Sequence, residues 1–472
     1  MPTVTFSGDQ MRGLAFKIGG GLAALAMAVS ACGSTGSGDS SGDEASASKQ
    51  AKPRESPEYE EVADLAAMKV VKQQYVFGDT LYLDDSLLLI QARPHPKINY
   101  LSVVTGIDPT NGKVKWEIDE RDLPTSVVES GVFMGRGRLL ASDGMAYVPL
   151  SSSAGTESYY GFVALDGETG EAKWVARHPV WEPKGTGPDG RSARTVVDIV
   201  GAVGDTVVYS AHSYWSDGDL SGLNDPNDRM KPNILHRAET VALDAETGKV
   251  RWKKNGFLGR YVTRSHVIGT IPAKQEARRN KPLAAVEAGT GNDAWKTTWK
   301  SNVADLSKDW LLVRQSASPD IGPHDGVYEA ATGRLVAKLD ADTPPLLGAA
   351  WVNEMPEAKG HGVAWIVTEQ DKDGPQTLYV AKDGESEPRK VAFLPNDRLE
   401  IGHPMVTEDD YVMVQSAAID PIGQQFADLE NGELDFPVDA TEDDREPITY
   451  SDSYLITGGL HVEETILYKR VP

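Results

Sequence analysis

The sequence predicts an all-β protein, a propeller of seven or eight four-stranded blades with eight favoured, carried behind a disordered N-terminal tether. Three observations predict it. A turn-centred phrase recurs at intervals of about fifty residues, the repeat length of propellers and solenoids. Each interval holds about four short strand signals, as a propeller blade does. After the N-terminal apolar run, no long apolar pattern of helical period occurs.

Taken in order, the 472-residue chain opens with Arg12 and Lys17 ahead of an apolar, Gly/Ala-rich run over residues 18–29, which ends in Val29, Ser30, Ala31 and Cys32. A positive start, a short apolar stretch and small residues make a signal peptide, and the run is too short and too poor in large side chains to span a bilayer stably. Val29-Ser30-Ala31-Cys32 resembles the lipobox of bacterial lipoproteins, and Cys32 is the only cysteine in the chain. That resemblance implies diacylglycerol on the Cys32 sulfur, with Cys32 as first residue of the mature protein. MRGLAFKIGGGLAALAMAVSAC, beginning at Met11, is a complete signal by itself, so translation is expected to start there. With one cysteine, no intramolecular disulfide or cysteine-rich zinc site is available.

Residues 32–68 follow as a Gly-, Ser- and acid-rich stretch with almost no large apolar side chains before Val62. Such composition cannot bury enough surface to fold, so it reads as a flexible tether with a reach of roughly 30 Å. Gly38-Asp39-Ser40-Ser41-Gly42 matches G-x-S-x-G. A nucleophile elbow needs a strand before it and a helix after it, and here there is neither. The division is thus 1–31 signal, 32–68 lipidated cysteine and tether, and 69–472 propeller.

The repeated phrase reads IDPTNGKVKW at 107–116, LDGETGEAKW at 165–174, LDAETGKVRW at 243–252 and VEAGTGNDAW at 286–295. Weaker copies are YEAATGRLVA at 328–337 and ADLENGELDF at 427–436, and a degenerate seventh surrounds Asp383 and Gly384. An acid followed three residues later by Thr or Asn and then Gly is a tight-turn signature. The carboxylate accepts backbone N–H bonds and Gly takes the φ > 0 position. Flanking apolar and alternating runs make each copy a hairpin. The candidate repeat residues are Asp108, Gly112, Trp116; Asp166, Gly170, Trp174; Asp244, Gly248, Trp252; Gly291, Trp295; Gly333; and Asp428, Gly432, Phe436. Strand-like residues 70–76 and 450–468 are left over, and are expected to close a last blade from both ends of the chain.

The acid-x-x-Thr-Gly-x-x-x-Trp phrase resembles the repeat of PQQ-like β-propellers, the group of quinoprotein alcohol dehydrogenases and BamB-type lipoproteins, over essentially the whole chain beyond the tether. The resemblance implies that Trp116, Trp174, Trp252 and Trp295 stack between neighbouring blades, with Phe436 as a substitute. In the dehydrogenases it also implies a cofactor covered by a disulfide of adjacent cysteines beside a calcium ion. One cysteine cannot make that lid, so PQQ and quinone catalysis are not expected.

Other chemistry finds little support. The nine histidines, at 95, 178, 212, 236, 266, 324, 361, 403 and 461, are scattered without metal-ligand spacing. Gly112-Lys113 and Gly248-Lys249 belong to hairpin turns and to no phosphate loop. A net charge of −23 repels nucleic acid, which is not expected as a partner. Two stretches fall outside the repeat. Residues 217–228 place Asp217, Asp219, Ser221, Asp225 and Asp228 at loop positions 1, 3, 5, 9 and 12 with Gly222 at 6, the ligand spacing of a calcium loop. Asp228 in place of Glu, Asn224 and Pro226 depart from it, and a solvated acidic loop is the plainer reading. The acidic residues 428–446 read as a solvated run or as a docking face for a basic partner.

The sequence therefore points to a bacterial lipoprotein on the extracytoplasmic face of the cell membrane. No catalytic residue and no cofactor is expected, calcium in the Asp217 loop being the one candidate, and the propeller is expected to bind another protein. The alternatives are a calcium-dependent ligand-binding or sensor propeller and, behind it, a quinone-dependent dehydrogenase.

Overall fold

Each recurring turn stops one strand and starts the next by satisfying its own backbone. At residues 244–248 the Gly248 amide donates to the Asp244 carbonyl at 2.8 Å, and the Thr247 amide and hydroxyl donate to Asp244 Oδ1 at 2.9 and 2.7 Å. Gly248 sits at φ 68°, a region open to glycine and costly for a side chain. Gly112, Gly170, Gly291 and Gly333 lie between 66° and 73° at the same point of their turns.

The computed structural model describes residues 58–65, 76–93, 103–125, 132–134, 138–152, 159–179, 181, 192–216, 234–271, 281–314, 324–339, 360–368, 376–394, 399–400, 406–408, 410–416, 424–429, 434–435, 445–451, 453–459 and 466–471. All of them fall within the unit Glu55–Pro472.

The described strands form seven antiparallel sheets. Sheet one is Val76–Leu83, Leu88–Arg93, Val103–Asp108 and Lys113–Asp119. Sheet two is Met145–Ser152, Tyr159–Asp166 and Ala172–Pro179, with an interrupted first strand made of Val132–Met134 and Leu140–Ser142. Sheet three is Ser192–Val203, Thr206–Ser216, Ile234–Asp244 and Val250–Asn255. Sheet four has seven strands, from Leu258–Val262 to Leu335–Lys338. Sheet five is Gly362–Thr368, Gln376–Lys382 and Arg389–Leu394, and sheet six runs from Leu399–Glu400 through Tyr411–Ser416 and Gln424–Asp428 to Leu434–Asp435. Sheet seven is Arg445–Tyr450, Tyr454–Gly459 and Ile466–Val471, completed by Glu58–Asp64 from the other end of the chain.

First strands abut one another around an axis. Val76–Leu83 meets both Arg445–Tyr450 and Leu140–Ser142, and Ser192–Val203 meets Leu140–Ser142 on one side and Leu258–Val262 on the other. The core is divided into wedges between sheets. Leu89, Val104 and Trp116 of sheet one pack on Met134, Val148 and Val163 of sheet two, and Val208, Ala242 and Trp252 of sheet three pack on Val267, Ala284 and Val286 of sheet four.

Counted as continuous sheets, this is a seven-bladed propeller, which corrects the eight favoured from the sequence. The reason is the long strand Asp293–Leu306. Its first part pairs with Lys281–Glu287 as far as Ser301, and from Asn302 onward it pairs with Trp310–Arg314. One uninterrupted strand is the outer edge of one hairpin pair and the inner edge of the next. The two halves of sheet four then face each other through Ile268, Leu283 and Ala285 against Val303, Leu306 and Leu311, so this sheet fills the space of two four-strand layers.

Closure also differs from the sequence reading. Glu58–Asp64 runs antiparallel to Ile466–Val471, with Glu58 opposite Val471, Glu60 opposite Lys469 and Asp64 opposite Ile466. The closing strand is therefore not residues 70–76, and the end of the stretch read as tether is sheet. Its acidity disguised it. Glu60 stands opposite Lys469 and Tyr59 opposite Arg470 on the ladder, while Val62, Ala63 and Leu65 join a cluster with Leu83, Leu88 and Tyr454.

A chain beginning at residue 69 is expected to unfold at a lower temperature than one beginning at residue 55 and to lose hydrogen-exchange protection across residues 466–471. Equal midpoints and equal protection would count against closure by Glu58–Asp64.

Candidate functional site

Four tryptophans of the repeat dock their own repeat on the following one. Trp116 Nε1 donates to the Gly167 carbonyl at 2.8 Å, Trp174 Nε1 to Ala245 at 3.0 Å, Trp252 Nε1 to Ala288 at 2.7 Å and Trp295 Nε1 to Ala330 at 2.9 Å. Each acceptor is the residue after the acid of the next repeat. Each indole also covers the next turn's glycine: a Cβ on Gly248 would lie 2.6 Å from Trp174 Cδ2, and one on Gly291 2.8 Å from Trp252 Cδ2. Glycine is required there both for its positive φ and for this close approach.

Two further docks have no signature in the repeated phrase. Ala337 stands where the repeat would put a tryptophan. Trp310, on another strand and 3% exposed, donates instead from Nε1 to the Lys382 carbonyl at 2.8 Å. The degenerate Asp383 accepts from Ser307 Oγ at 2.6 Å and the Asp309 amide at 3.0 Å, so it ties together two elements far apart in sequence. Between sheets five and six, Arg389 Nη1 donates to the Leu429 carbonyl at 3.1 Å. An indole on a neighbouring strand and a guanidinium at the repeat's outer edge thus replace the standard contact.

The turn carboxylates are held ionised. Asp244 is lowered to about 2, first by Arg251, then by the Thr247 hydroxyl and amide. Asp166 is also lowered to about 2, first by Lys173 and then by the Thr169 and Glu168 amides. Arg251 Nη2 bridges Asp205 and Asp244, 2.6 Å from each. These groups serve the turn, and their hydrogen-bonding capacity is used there.

Strand direction gives the ring two unlike faces. Hairpin turns at residues 84–87, 109–112, 143–144, 167–171, 204–205, 245–249, 288–292 and 451–453 lie at one end of the strands. The second-to-third links, 94–102, 153–158, 217–233, 272–280, 315–325, 369–375, 417–423 and 460–465, join strands at the other end. The Asp217 loop belongs to this second set, between Thr206–Ser216 and Ile234–Asp244. The acidic residues 428–446 start at the end of Gln424–Asp428 and lead into Arg445–Tyr450. Asp217, Asp219, Ser221, Asp225, Asp228, Gly432, Phe436 and Cys32 lie outside the described residues.

Titratable side chains gather toward this loop face between sheets two and three. His178 is 2% exposed, with Nδ1 3.3 Å from the Tyr209 hydroxyl and the Trp181 ring edge-on at 4.6 Å. Burial, with Lys253 and Arg237 nearby, lowers His178 to about 4, so the imidazole is neutral at pH 7. Arg237 stacks on Trp181 at 4.2 Å and lies 3.7 Å from the buried Glu239, which Lys253 approaches at 3.8 Å. Among the described residues no group of three or more His, Cys, Asp or Glu is placed to hold a metal ion.

No protein-family model and no curated protein matches the chain. Solved structures similar to it include the quinohemoprotein alcohol dehydrogenase ADHIIG of Pseudomonas putida HK5, at TM-score 0.41 and 12% identity over 84% of this chain and 74% of that one. The β-propeller domain of the Trilobed protease of Pyrococcus furiosus matches at TM-score 0.36 and 12% identity, over 79% and 98%. An acylaminoacyl peptidase of Pyrococcus horikoshii matches at 0.40 and 12%, over 81% and 57%. At such identity and TM-score these likenesses say nothing about chemistry.

Trp252→Ala should cost about 3–5 kcal/mol, the range for truncating a buried tryptophan, as read from denaturant unfolding; a loss near zero would refute the dock. Carboxyls lowered in the folded state stabilise it above their ordinary range and cease to do so as pH falls from about 4 toward 2. The unfolding midpoint should therefore drop over that window, and less steeply in Asp244→Asn, as followed by circular dichroism.

Proposed function

We propose that the protein is a lipoprotein anchored through Cys32 to the extracytoplasmic face of a bacterial cell membrane, and that its propeller is a non-catalytic scaffold that binds another protein through the loop face. The asymmetry of the two faces carries this reading. The turn face consists of short hairpins whose carboxylates, hydroxyls and amides bond one another, as at Asp108, where Thr110 Oγ1 donates at 2.6 Å and Asn111 Nδ2 at 2.8 Å. The loop face carries the connections of irregular length and sequence, and such connections on a rigid frame are where proteins place recognition. The net charge of −23 favours a basic partner over nucleic acid or an anionic polymer.

A calcium-dependent reading rests on the donor spacing of Asp217, Asp219, Ser221, Asp225 and Asp228 in a link of this same face. Quinone catalysis is disfavoured by the single cysteine, which leaves nothing to form the disulfide lid.

A photo-crosslinker at Arg237 or Lys338, both at loop-face strand ends, should capture a protein from membranes, and one at Glu246 or Thr332 on the turn face should not; equal capture from both faces would refute the assignment. Cys32→Ala should move the chain from the membrane to the soluble fraction. Calorimetric titration with calcium separates the second reading, since wild-type heat lost in Asp217→Ala/Asp219→Ala supports it and a silent wild type dismisses it.

A further inference from the structure

Glu58–Asp64 is the fourth strand of sheet seven, and its register repeats that of the fourth strands whose tryptophans dock. In sheet three, Val250 stands opposite Leu243 and Trp252 opposite Ala242, with Arg251 skipped between them. In sheet one, Val114 stands opposite Ile107 and Trp116 opposite Gly106, with Lys115 skipped. The closing strand does the same: Glu61 stands opposite Tyr468 and Ala63 opposite Leu467, with Val62 skipped. Its partner strand keeps the frame too, since the Arg470 amide donates to the Ser453 carbonyl at 2.8 Å as the Ala245 amide does to that of Asp205 at 2.9 Å. Ala63 therefore stands at the place of the indole. The next turn agrees, because a Cβ on Gly112 would lie 2.3 Å from Ala63 Cβ, where one on Gly291 meets the Trp252 ring.

A methyl group covers the glycine and nothing more. It has no N–H for the carbonyl of Pro109, the residue after the acid, whose counterparts Gly167, Ala245, Ala288 and Ala330 each accept from an indole. Trp116 and Trp252 are buried, whereas Val62 and Ala63 are only partly buried and Glu60, Glu61 and Asp64 are exposed. Of residues 60–65, only Leu65, just past the strand, is deeply buried. Sheet seven has further ties to sheet one. Ser451 Oγ donates to Asp85 Oδ1 at 2.7 Å and the Ser453 amide to the same oxygen at 3.2 Å, while Tyr454, Ile456 and Leu467 pack on Leu83, Leu88 and Ile107. These contacts belong to the other three strands of the sheet and a turn between them, so they persist without the outer strand.

We propose that Glu58–Asp64 is a releasable strap: it leaves and rejoins the edge of Ile466–Val471 while the ring stays closed, in an opening separate from global unfolding. Proteins open locally where buried apolar contact is least, and this outer strand lacks the contact that fixes its counterparts. Ala63 is the residue that makes it releasable, since an indole at that position is the lock carried by the fourth strands ending at Trp116, Trp174, Trp252 and Trp295. Release bares the backbone edge of Ile466–Val471 together with the Gly112 turn. It also adds the strap's residues to the stretch between Cys32 and the ring; that consequence, unlike the strap itself, rests on anchoring through Cys32.

Hydrogen exchange of the intact chain, read by mass spectrometry on its fragments, tests the strap. Residues 58–65 are expected to exchange about a hundredfold faster than residues 239–244 of sheet three, and Ala63→Trp should slow 58–65 by about tenfold or more while 239–244 keep their rate. Equal rates for the two segments in the wild type, or no slowing in a folded Ala63→Trp chain, would overturn the proposal. Should Ala63→Trp fail to fold, Glu60→Cys/Lys469→Cys in a Cys32→Ala chain takes its place, because the two positions stand opposite each other on the ladder. A disulfide between them should slow exchange at 58–65 by about tenfold or more relative to the reduced form, with 239–244 unaffected. No cross-link on oxidation, or a cross-linked chain that exchanges as fast as its reduced form, would equally refute release of the strap.

Discussion

An indole resting on a glycine holds the ring together. Four repeats extend a tryptophan across the wedge, where the ring nitrogen finds the carbonyl after the neighbour's acid and the ring face finds a turn glycine with no Cβ to obstruct it. The two halves of this contact belong to consecutive repeats, so neither is useful alone. Asp244 and Gly248 form the seat for Trp174, while Trp252, a few residues later, occupies the seat formed at Glu287 and Gly291. Stability passes from sheet to sheet in this way, and no single repeat carries its own.

That reciprocity explains which features were legible in the sequence. The turn acid, the threonine, the glycine and the tryptophan lie within one short window, so their pattern survives as text and the hairpins could be placed from it. Docks that draw their members from different strands leave no such pattern. Trp310 replaces the missing indole of the repeat ending at Ala337 from the far side of a hairpin, and Asp383 accepts from Ser307 across a long loop. The closing strand was missed for a related reason. EYEEVAD looks solvated until Lys469 and Arg470, at the opposite end of the chain, are set beside it. The sheet count turned on a break that never occurs: nothing in DAWKTTWKSNVADL announces that the strand will leave one neighbour and take up another without ending.

The candidate site was legible only in part. A histidine among scattered histidines, a tyrosine and a glutamate in strands carry no motif, and His178, Tyr209 and Glu239 become a group only through register and packing. What the sequence did supply was the boundary of the repeat. Asp217 and its neighbours interrupt it in the link between the two strands that carry Tyr209 and Glu239. Scaffold and recognition are thereby separated along the strand axis, with saturated turns at one end and irregular links at the other.

The closing strand has a mechanical consequence. Glu58 pairs with Val471 at the turn-face end of the ladder, and Asp64 pairs with Ile466 at the other. Within the other sheets paired strands follow one another along the chain; here the last two paired strands come from its opposite ends and are held only by a ladder of backbone hydrogen bonds. A pull on the chain ahead of Glu58 loads the first rung alone, and the rungs give way in sequence, as a zip opens, where a shearing load would have to break them together. Release of the seam would free Glu58–Asp64 from Ile466–Val471 and leave the indole contacts from Trp116 to Trp310 in place.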